Sequence, residues 1–346
     1  MKFENVSDIM LFGGGKLLAS FALFLKNHKF SVIVVTSKRH VKEYIDINKQ
    51  TNNLLSFLKS NKIKVKITLD PNKDNAIKKT ITNKTLGISL GAAWIFQIEF
   101  INLFKGKLIN LHGTQLPRNR GGGGHSWQIM QKNRLGYAVI HQIDNQVDTG
   151  KIIEYREFIY PNSCRIPQDY EEEYIEQCEK LLVEFWNKVI KQKEFTTTDQ
   201  QNYFSSYWPR LATHIHGFID WNWSLNQLES FICAFDSPYQ GASTFINGKQ
   251  IYIKECLTDT SDGLFHPFQT GIVYKKQNNT LYVATVEGSL IILKVIDKLN
   301  NDIKNRIIVG DRFYTPNKYL DKAKQIRAFY TPLGLQIKHY GQKISD

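Results

Sequence analysis

The sequence predicts an α/β fold: a Rossmann-like, mostly parallel sheet flanked by helices, followed by a small β-rich, barrel-like C-terminal domain. Short apolar runs alternate with amphipathic stretches through the first half of the chain. The turn-rich segment "EFTTTDQQNYFSSYWPRLATHIHG" (Glu194 to Gly217) then breaks that rhythm and reads as a linker. Beyond it the pattern becomes a succession of β-branched runs with turn signals between them. At 346 residues the chain exceeds the usual single-domain size. The expected division is residues 1–200, a β-rich unit at 201–314, and a basic tail at 315–346.

"DIMLFG" (Asp8 to Gly13) reads as the first strand, Gly14 to Lys26 as a helix, and "SVIVVTS" (Ser31 to Ser37) as the second strand. The stretch Val34 to Lys59 holds no Gly or Pro, and past the strand it reads as helix. "KVKITL" (Lys64 to Leu69), "TLGISLG" (Thr85 to Gly91) and "KLINLHG" (Lys107 to Gly113) continue the strands. Strand–helix–strand repetition implies right-handed crossovers, with ligands beyond the carboxyl ends of the strands, where Gly13, Gly91 and Asn110 to His112 fall. Tyr137 to Tyr160 reads as two strands around a tight turn. Gln168 to Lys193 reads as a helix whose acidic start and basic end complement its dipole. In the second unit Ser224 and Gln227 make a capping box. Asn247-Gly248 marks a hairpin, Thr270 to Ile296 supplies three more strands, and the tail is read as helical around Lys318 to Tyr330.

Hydrophobic residues make up 42% of the chain and aromatics 12%, enough for a real core, so the expectation is a soluble globular protein. The net charge of +13 is spread along the sequence and reads as a solvated basic exterior rather than a dedicated nucleic-acid surface. Four cysteines without a CxxC pair suggest neither a zinc site nor a disulfide framework, and fit reduced cytoplasmic thiols. Acidic residues and glycines interrupt the apolar N-terminal stretch, which reads as neither a secretory signal nor a membrane span.

Two motifs resolve into bland readings. "FGGGKLLASF" fails the Walker pattern because Leu17 follows Lys16, and fails GxGxxG at Leu18; a glycine-rich strand-to-helix turn, open to a ligand's approach, is favoured. His214 and His216 would point the same way on an extended segment, but no third metal ligand stands nearby, and no metal is expected. The aromatic set Tyr203, Phe204, Tyr207, Trp208, Trp221 and Trp223 reads as junction packing rather than a base-stacking platform.

"NLH" is different in kind. Alternate residues of a strand share a face, so Asn110 and His112 would aim into one cavity. An amide donor for an oxyanion and an imidazole for a proton are what carbonyl chemistry needs. Asp148, in "NQVDTG", is the candidate third member, a carboxylate to fix the histidine tautomer.

"NLHGTQLPRNRGGGG", followed by "HQIDNQVDTGKII", closely resembles the motifs of the folate-dependent formyltransferases, the family of glycinamide ribonucleotide, methionyl-tRNA and nucleotide-linked amino-sugar formyltransferases. "GFIDWNWSLNQLESFICAFDSPYQGASTFINGKQIYI" is similar to the start of the accessory barrel of the larger members. The resemblance covers the chain from strand one to Ile296. It implies a catalytic trio Asn110, His112 and Asp148, and N10-formyltetrahydrofolate as co-substrate. "SLGAAWIF", with Gly91, Trp94, Ile95 and Phe96, is similar to the family's pterin loop, and Ile143 and Asp144 would lie across that pocket. Arg118 and Arg120 are available for acceptor phosphates. The run containing Gly122 and Gly123 either bares the backbone for a bulky acceptor or is simply a flexible loop. Where the family often has Ser-Leu-Leu-Pro after the histidine, this chain has Gly113-Thr114-Gln115-Leu116-Pro117, which bears on contacts behind the trio.

The barrel argues against the purine-pathway type, and the absence of a Gly-, Pro- and Arg-rich insertion after the second strand argues against the tRNA type. "LHGT", the glycine run and "SW" are more similar to the sugar enzymes. The expected acceptor is therefore a nucleoside-diphosphate amino sugar, such as a dTDP-4-amino-4,6-dideoxyhexose, for surface glycans such as lipopolysaccharide O-antigen. Methionyl-tRNA is the alternative, and a non-catalytic nucleotide-sugar binder a second. A cytoplasmic homodimer without membrane contact completes the expectation.

Overall fold

A computed structural model describes residues 1–47, 50–92, 94–122 and 124–341. The first unit is built on a seven-stranded sheet of β1 (Asp8–Gly13), β2 (Ser31–Thr36), β3 (Lys64–Ile67), β4 (Thr85–Leu90), β5 (Leu108–His112), β6 (Leu135–Gln142) and β7 (Ile152–Ile159). Their spatial order is β7-β6-β5-β4-β1-β2-β3. Pairing is parallel from β3 to β5, and antiparallel from β5 through β6 to β7.

Alternation along each strand splits the apolar side chains between two layers. Ile9 and Leu11 of β1 face a core shared with α1 (Gly15–Asn27), α2 (Leu54–Ser60) and later α5 (Pro167–Ile190), whereas Met10 and Phe12 face α3 (Ile98–Leu103). A short helix, α4 (Gly124–Met130), follows the glycine run. In α5, Tyr170, Cys178, Leu181, Leu182, Phe185, Trp186 and Val189 recur at helical spacing and are buried. Its start is fixed by Pro167 in the first turn and by Asp169, whose carboxylate accepts from the Ile166 and Arg165 amides at 3.1 and 2.8 Å.

The second unit pairs α6 (Leu225–Ala234) with a six-stranded antiparallel sheet: β8 (Ala242–Ile246), β9 (Lys249–Asp259), β10 (Val273–Gln277), β11 (Thr280–Thr285), β12 (Gly288–Ile296) and β13 (Phe313–Tyr314), in the order β10-β11-β12-β9-β8-β13. The ends approach each other through an antiparallel bridge from Ile272 to Arg312, which curls the sheet toward a barrel. Ser224 caps α6 in the expected box, accepting from the Gln227 amide at 3.3 Å while its own amide donates to Gln227 Oε1 at 3.0 Å. Asn247 and Gly248 both have positive φ, 48° and 75°, as a type I′ hairpin requires. Among the described residues no helix is long and apolar enough to cross a membrane.

Three expectations of local structure need correction. Past β2, helix is confined to a turn at His40–Lys42 and to α2; Tyr44–Ile47 and Gln50–Asn53 pair antiparallel instead, with Ile45 buried in the core and Asn53 capping α2 through its side chain. Asn48 and Lys49 lie outside the described residues. Alternation carrying one buried isoleucine outweighed the lack of Gly and Pro. Second, β6 and β7 are joined by residues 143–151, not by a tight turn. Third, among the described residues the tail is helical only over α7 (Asn317–Gln325); β14 (Ile326–Thr331) and β15 (Gly334–His339) then form a hairpin, because Ile326 and Ala328, on one face of β14, are buried together.

At the end of β1, Gly13 has φ +130°, and a Cβ there would sit 2.0 Å from the Leu90 carbonyl oxygen. The Thr36 hydroxyl, at the end of β2, donates to the Gly13 carbonyl at 2.7 Å and fixes the turn from that side. Gly13→Ala should therefore lower unfolding stability by about 2–4 kcal/mol, read from the midpoint of urea denaturation. A midpoint within error of wild type would show that this turn has room to relax.

Candidate active site

Asn110 and His112 lie on the same face of β5, as Leu108 does, and Asp148 reaches them from the loop after β6. The trio converges, and it gains a fourth member. In the β5–β6 ladder Asn110 stands directly opposite His141, and its Nδ2 lies 3.1 Å from His141 Nε2. Asp148 Oδ1 is 3.6 Å from His112 Nδ1 and 3.7 Å from His141 Nε2, so one carboxylate faces two imidazoles. The Gly121 amide donates to its other oxygen at 3.3 Å. Asp148 itself has φ 56°, a left-handed backbone that costs an aspartate free energy and aims its side chain back at the strand.

Hydrogen-bond partners fix the proton positions. His141 Nδ1 lies 2.7 Å from the Gln142 carbonyl, an acceptor only, so that nitrogen donates. In the neutral ring Nε2 then accepts from the Asn110 carboxamide, leaving the amide's second N–H for the cavity. His112 Nε2 contacts Thr114 Oγ1 at 2.7 Å and the Asn119 carbonyl at 3.3 Å. Thr114 spends its hydroxyl proton on that same carbonyl, at 2.7 Å, so His112 Nε2 donates. The Nδ1 lone pair of a neutral His112 therefore faces the Asp148 carboxylate. A proton at Nδ1 would turn that repulsion into an ion pair.

Two effects compete over that proton. Burial lowers the His112 pKa below its usual 6.5 and outweighs the opposing pull of Asp148, with His141 adding to the lowering and the Asn119 carbonyl opposing it. At Asp148 burial acts to raise the pKa, but the two imidazoles and the Gly121 amide prevail and bring it to about 2. The resting pair is thus a carboxylate beside a neutral imidazole poised to become charged.

These groups line a cavity of about 480 Å³ at the carboxyl ends of β1, β4 and β5. Gly14, Gly15 and Lys16 border it at the start of α1, and Glu171 and Tyr174 of α5 close another side. Gly121, Gly122 and Gly124 also line it; Gly123 lies outside the described residues. The glycines are not merely loose: a Cβ on Gly121 would lie 2.4 Å from the Trp208 carbonyl, and one on Gly122 3.1 Å from Arg210. They admit the linker, whose Tyr207–Trp208 pairs in parallel with Arg120–Gly121.

Arg118 and Arg120 do not line the cavity. Arg118 is exposed near Tyr137, and Arg120 bonds the side chains of Gln200 and Asn202 at 2.9 to 3.3 Å. Lys16 and Arg210 are basic residues that do line the cavity. Trp127 and Trp208 also line the cavity, ring centroids 5.3 Å apart, with Trp127 Nε1 donating to the Pro209 carbonyl at 2.8 Å.

Of the residues expected around a pterin, Gly91 lines the cavity, with φ +67°. Trp94 is held by its Nε1–H to the Leu69 carbonyl at 2.8 Å, and Ile95 is 73% exposed beside it. Phe96 is instead a core residue, packed on Phe12 and Phe100 at 5.1 and 5.7 Å. Ile143 packs against that same core, and Asp144 accepts from Thr149 Oγ1 at 2.5 Å to shape the loop that carries Asp148.

The histidine pair at 214 and 216 sits on a single helical turn, Thr213–His216, rather than an extended strand. His216 accepts from the Ala212 amide at 2.8 Å and bonds the Ile326 carbonyl at 2.9 Å, a structural role. The junction aromatics divide: Trp208 lines the cavity, Trp221 is buried in the second unit, and Tyr203 is 91% exposed. No cluster of metal-ligating side chains occurs among the described residues.

Residues 9–180 match the family described as Formyl transferase, and residues 213–305 match Formyl transferase, C-terminal domain. The methionyl-tRNA formyltransferase of Ruminiclostridium cellulolyticum is 26% identical over 204 residues, 59% of this chain and 62% of that protein; that of Desulfotalea psychrophila is 26% identical over 189 residues, 54% and 56%. The chain thus spans less than two thirds of the length of these relatives. Among solved structures, WlaRD, a sugar 3N-formyl transferase crystallised with dTDP and 5-N-formyl-THF, matches with a TM-score of 0.62 and 21% identity over 84% of this chain and 97% of that one. An N-formyltransferase from Helicobacter canadensis, in complex with folinic acid and dTDP-3-aminofucose, matches with a TM-score of 0.62 and 23% identity over 83% and 98%. With both of its units matched by the two parts of one family, and in the order in which they stand here, the chain belongs to the formyl transferase family.

Proposed function

We propose that the chain transfers a formyl group from N10-formyltetrahydrofolate to the primary amine of a nucleoside-diphosphate-linked amino sugar, such as a dTDP-4-amino-4,6-dideoxyhexose, in the cytoplasmic synthesis of a surface glycan such as lipopolysaccharide O-antigen, and that it does so as a homodimer. The observation that carries the reading is the convergence of Asn110, His112 and Asp148, with His141 bonded behind them, on a cavity that paired indoles and a guanidinium also line. Carboxamide, imidazole and carboxylate suit addition to a carbonyl. Indoles and Arg210 suit a nucleobase and a diphosphate. Gly91 and the loop to Phe96, with Ile143 and Asp144 across from it, would hold the pterin end, Phe96 through its backbone. The folates named for both neighbouring structures, with dTDP in one and dTDP-3-aminofucose in the other, support the choice. The hairpin after β2 offers no Gly-, Pro- and Arg-rich grip for an acceptor stem.

In this mechanism the amine nitrogen attacks the formyl carbon, and the carbonyl oxygen gains the negative charge. The free N–H of Asn110 donates to that oxyanion. His112 takes the proton lost by the nitrogen at Nδ1, where Asp148 stabilises the resulting imidazolium and Thr114 with Asn119 hold the other ring nitrogen. Collapse breaks the bond from carbon to N10, which receives the proton, and the formamide leaves.

Asn110→Ala should lower kcat by about 100- to 1,000-fold and His112→Ala by about 100- to 10,000-fold, with unchanged circular dichroism. Near-normal turnover by a folded His112→Ala enzyme would end the mechanism. A panel of nucleotide amino sugars and charged initiator tRNA, each assayed with the folate donor, decides the acceptor. Turnover of tRNA alone, with binding that falls steeply with salt, would favour the methionyl-tRNA reading, and nucleotide-sugar binding without folate binding would favour a non-catalytic binder.

The pH profile follows from the same shifts. Because the neutral imidazole is the proton acceptor and its pKa lies below 6.5, kcat/KM should be flat above neutrality and fall as pH drops through that lowered value. Asp148, at about 2, does not titrate in this range. Asp148→Asn removes a charge that raises the His112 pKa, so the acid limb of the residual activity should move to lower pH. An acid limb that moved to higher pH would contradict the assignment.

A further inference from the structure

The appendage of α7, β14 and β15 lies beyond both matched segments, which end at residue 305, and the linker at 207–212 lies between them. The two extra pieces are bound to each other. Arg210 and Ala328 form an antiparallel bridge. Arg327 donates from Nη2 to the Tyr207 hydroxyl at 2.7 Å, and its guanidinium sits 5.1 Å from the centre of that ring. Ala212, Ile215, Ile326 and Ala328 bury one another in a small apolar cluster, and His216 bonds the Ile326 carbonyl.

The linker in turn reaches the reacting groups. Trp208 Nε1 donates to Asn119 Oδ1 at 2.9 Å, and the Asn119 carbonyl is the group that receives His112 Nε2 and the Thr114 hydroxyl. Trp208 and Arg210 are themselves wall residues of the cavity. Behind that wall is a second cavity, about 460 Å³, which Trp127 and Arg210 also border and which α7 covers with Leu320 and Ala323. The wall is therefore not backed by close packing along its whole length, and its position depends on what grips its edges.

We infer that the C-terminal appendage is a positioning element for the acceptor wall: by holding the linker through Arg210–Ala328, Tyr207–Arg327 and the Ile326 cluster, it sets Trp208 and Arg210 for a nucleoside diphosphate. The inference rests on reading this cavity as the acceptor site. Neither Arg327 nor Ile326 touches the cavity.

The test uses the full chain with Arg327→Ala and Ile326→Ala, and Arg327→Lys as the conservative variant. Calorimetry with dTDP and UDP, and separately with folinic acid, reads binding without turnover; acceptor KM and kcat are read alongside. Each disruptive variant should weaken nucleoside diphosphate binding and raise acceptor KM by about 3- to 5-fold, with folinic acid binding and kcat unchanged, and Arg327→Lys should lie between them and wild type. Tyr207→Phe combined with Arg327→Ala should be no worse than Arg327→Ala alone. Unchanged nucleotide binding in both disruptive variants, or equal losses for nucleotide and folinic acid, would overturn the inference. Should the wild-type chain bind no nucleoside diphosphate, the acceptor reading fails, and hydrogen exchange at the amides of residues 207, 208 and 210–212 still decides the positioning role: faster exchange in the variants upholds it, and unchanged exchange refutes it.

Discussion

The pairing of Asn110 with His141 across β5 and β6 is the constraint on which the site depends. β5 is parallel to β4 on one side and antiparallel to β6 on the other, so it is the strand at which the sheet changes sense. Side chains alternate along it, and a slip of one residue would turn Asn110 and His112 into the layer occupied by Leu111, against α1 and α5. The apolar residues Leu108, Ile109 and Leu111 forbid that slip, because each is buried in its own layer. Hydrophobic packing thereby fixes the register, and the register fixes the polar geometry.

Around that pair the protein sets burial against charge. A buried imidazole resists protonation and a buried carboxylate resists ionisation, yet the two stand 3.6 Å apart, and each alters the other's balance. Asp148 is held low because the charged forms of His112 and His141, together with the Gly121 amide, favour its carboxylate by more than burial disfavours it. His112 stays neutral because one carboxylate at ion-pair distance does not outweigh burial. In the proposed mechanism this makes His112 a proton acceptor whose charged form is already provided for, with little reorganisation needed.

The second unit is joined to the first by apolar packing rather than by a flexible tether. Ile129, Tyr160 and Tyr170 of the first unit belong to the same core as α6 and the inner face of the β-rich sheet. Ser126 Oγ donates to the Ala234 carbonyl at 2.8 Å, and Arg165 spans the junction to Glu229 and the Cys256 carbonyl. This junction carries the linker past the mouth of the cavity. Trp208 and Arg210, far from the trio in sequence, are thus brought into the lining of the same cavity.

The sequence by itself determined the strands of the parallel sheet, the capping of α6, the Asn-Gly hairpin and the shared face of Asn110 and His112, because each follows from period, turn chemistry or spacing within a few residues. It missed the antiparallel pairing of 44–47 with 50–53 and the hairpin in the tail, where one or two buried side chains tipped marginal stretches from helix to strand. Tertiary structure alone decided that His141, plain in "VIHQID", would face Asn110, since ladder register is not written in either strand. It also decided that Arg120 would be spent on Gln200 and Asn202 while Arg210, from a segment read only as linker, would enter the cavity. A side chain's charge is local information; the surface it meets is set by how distant segments pack.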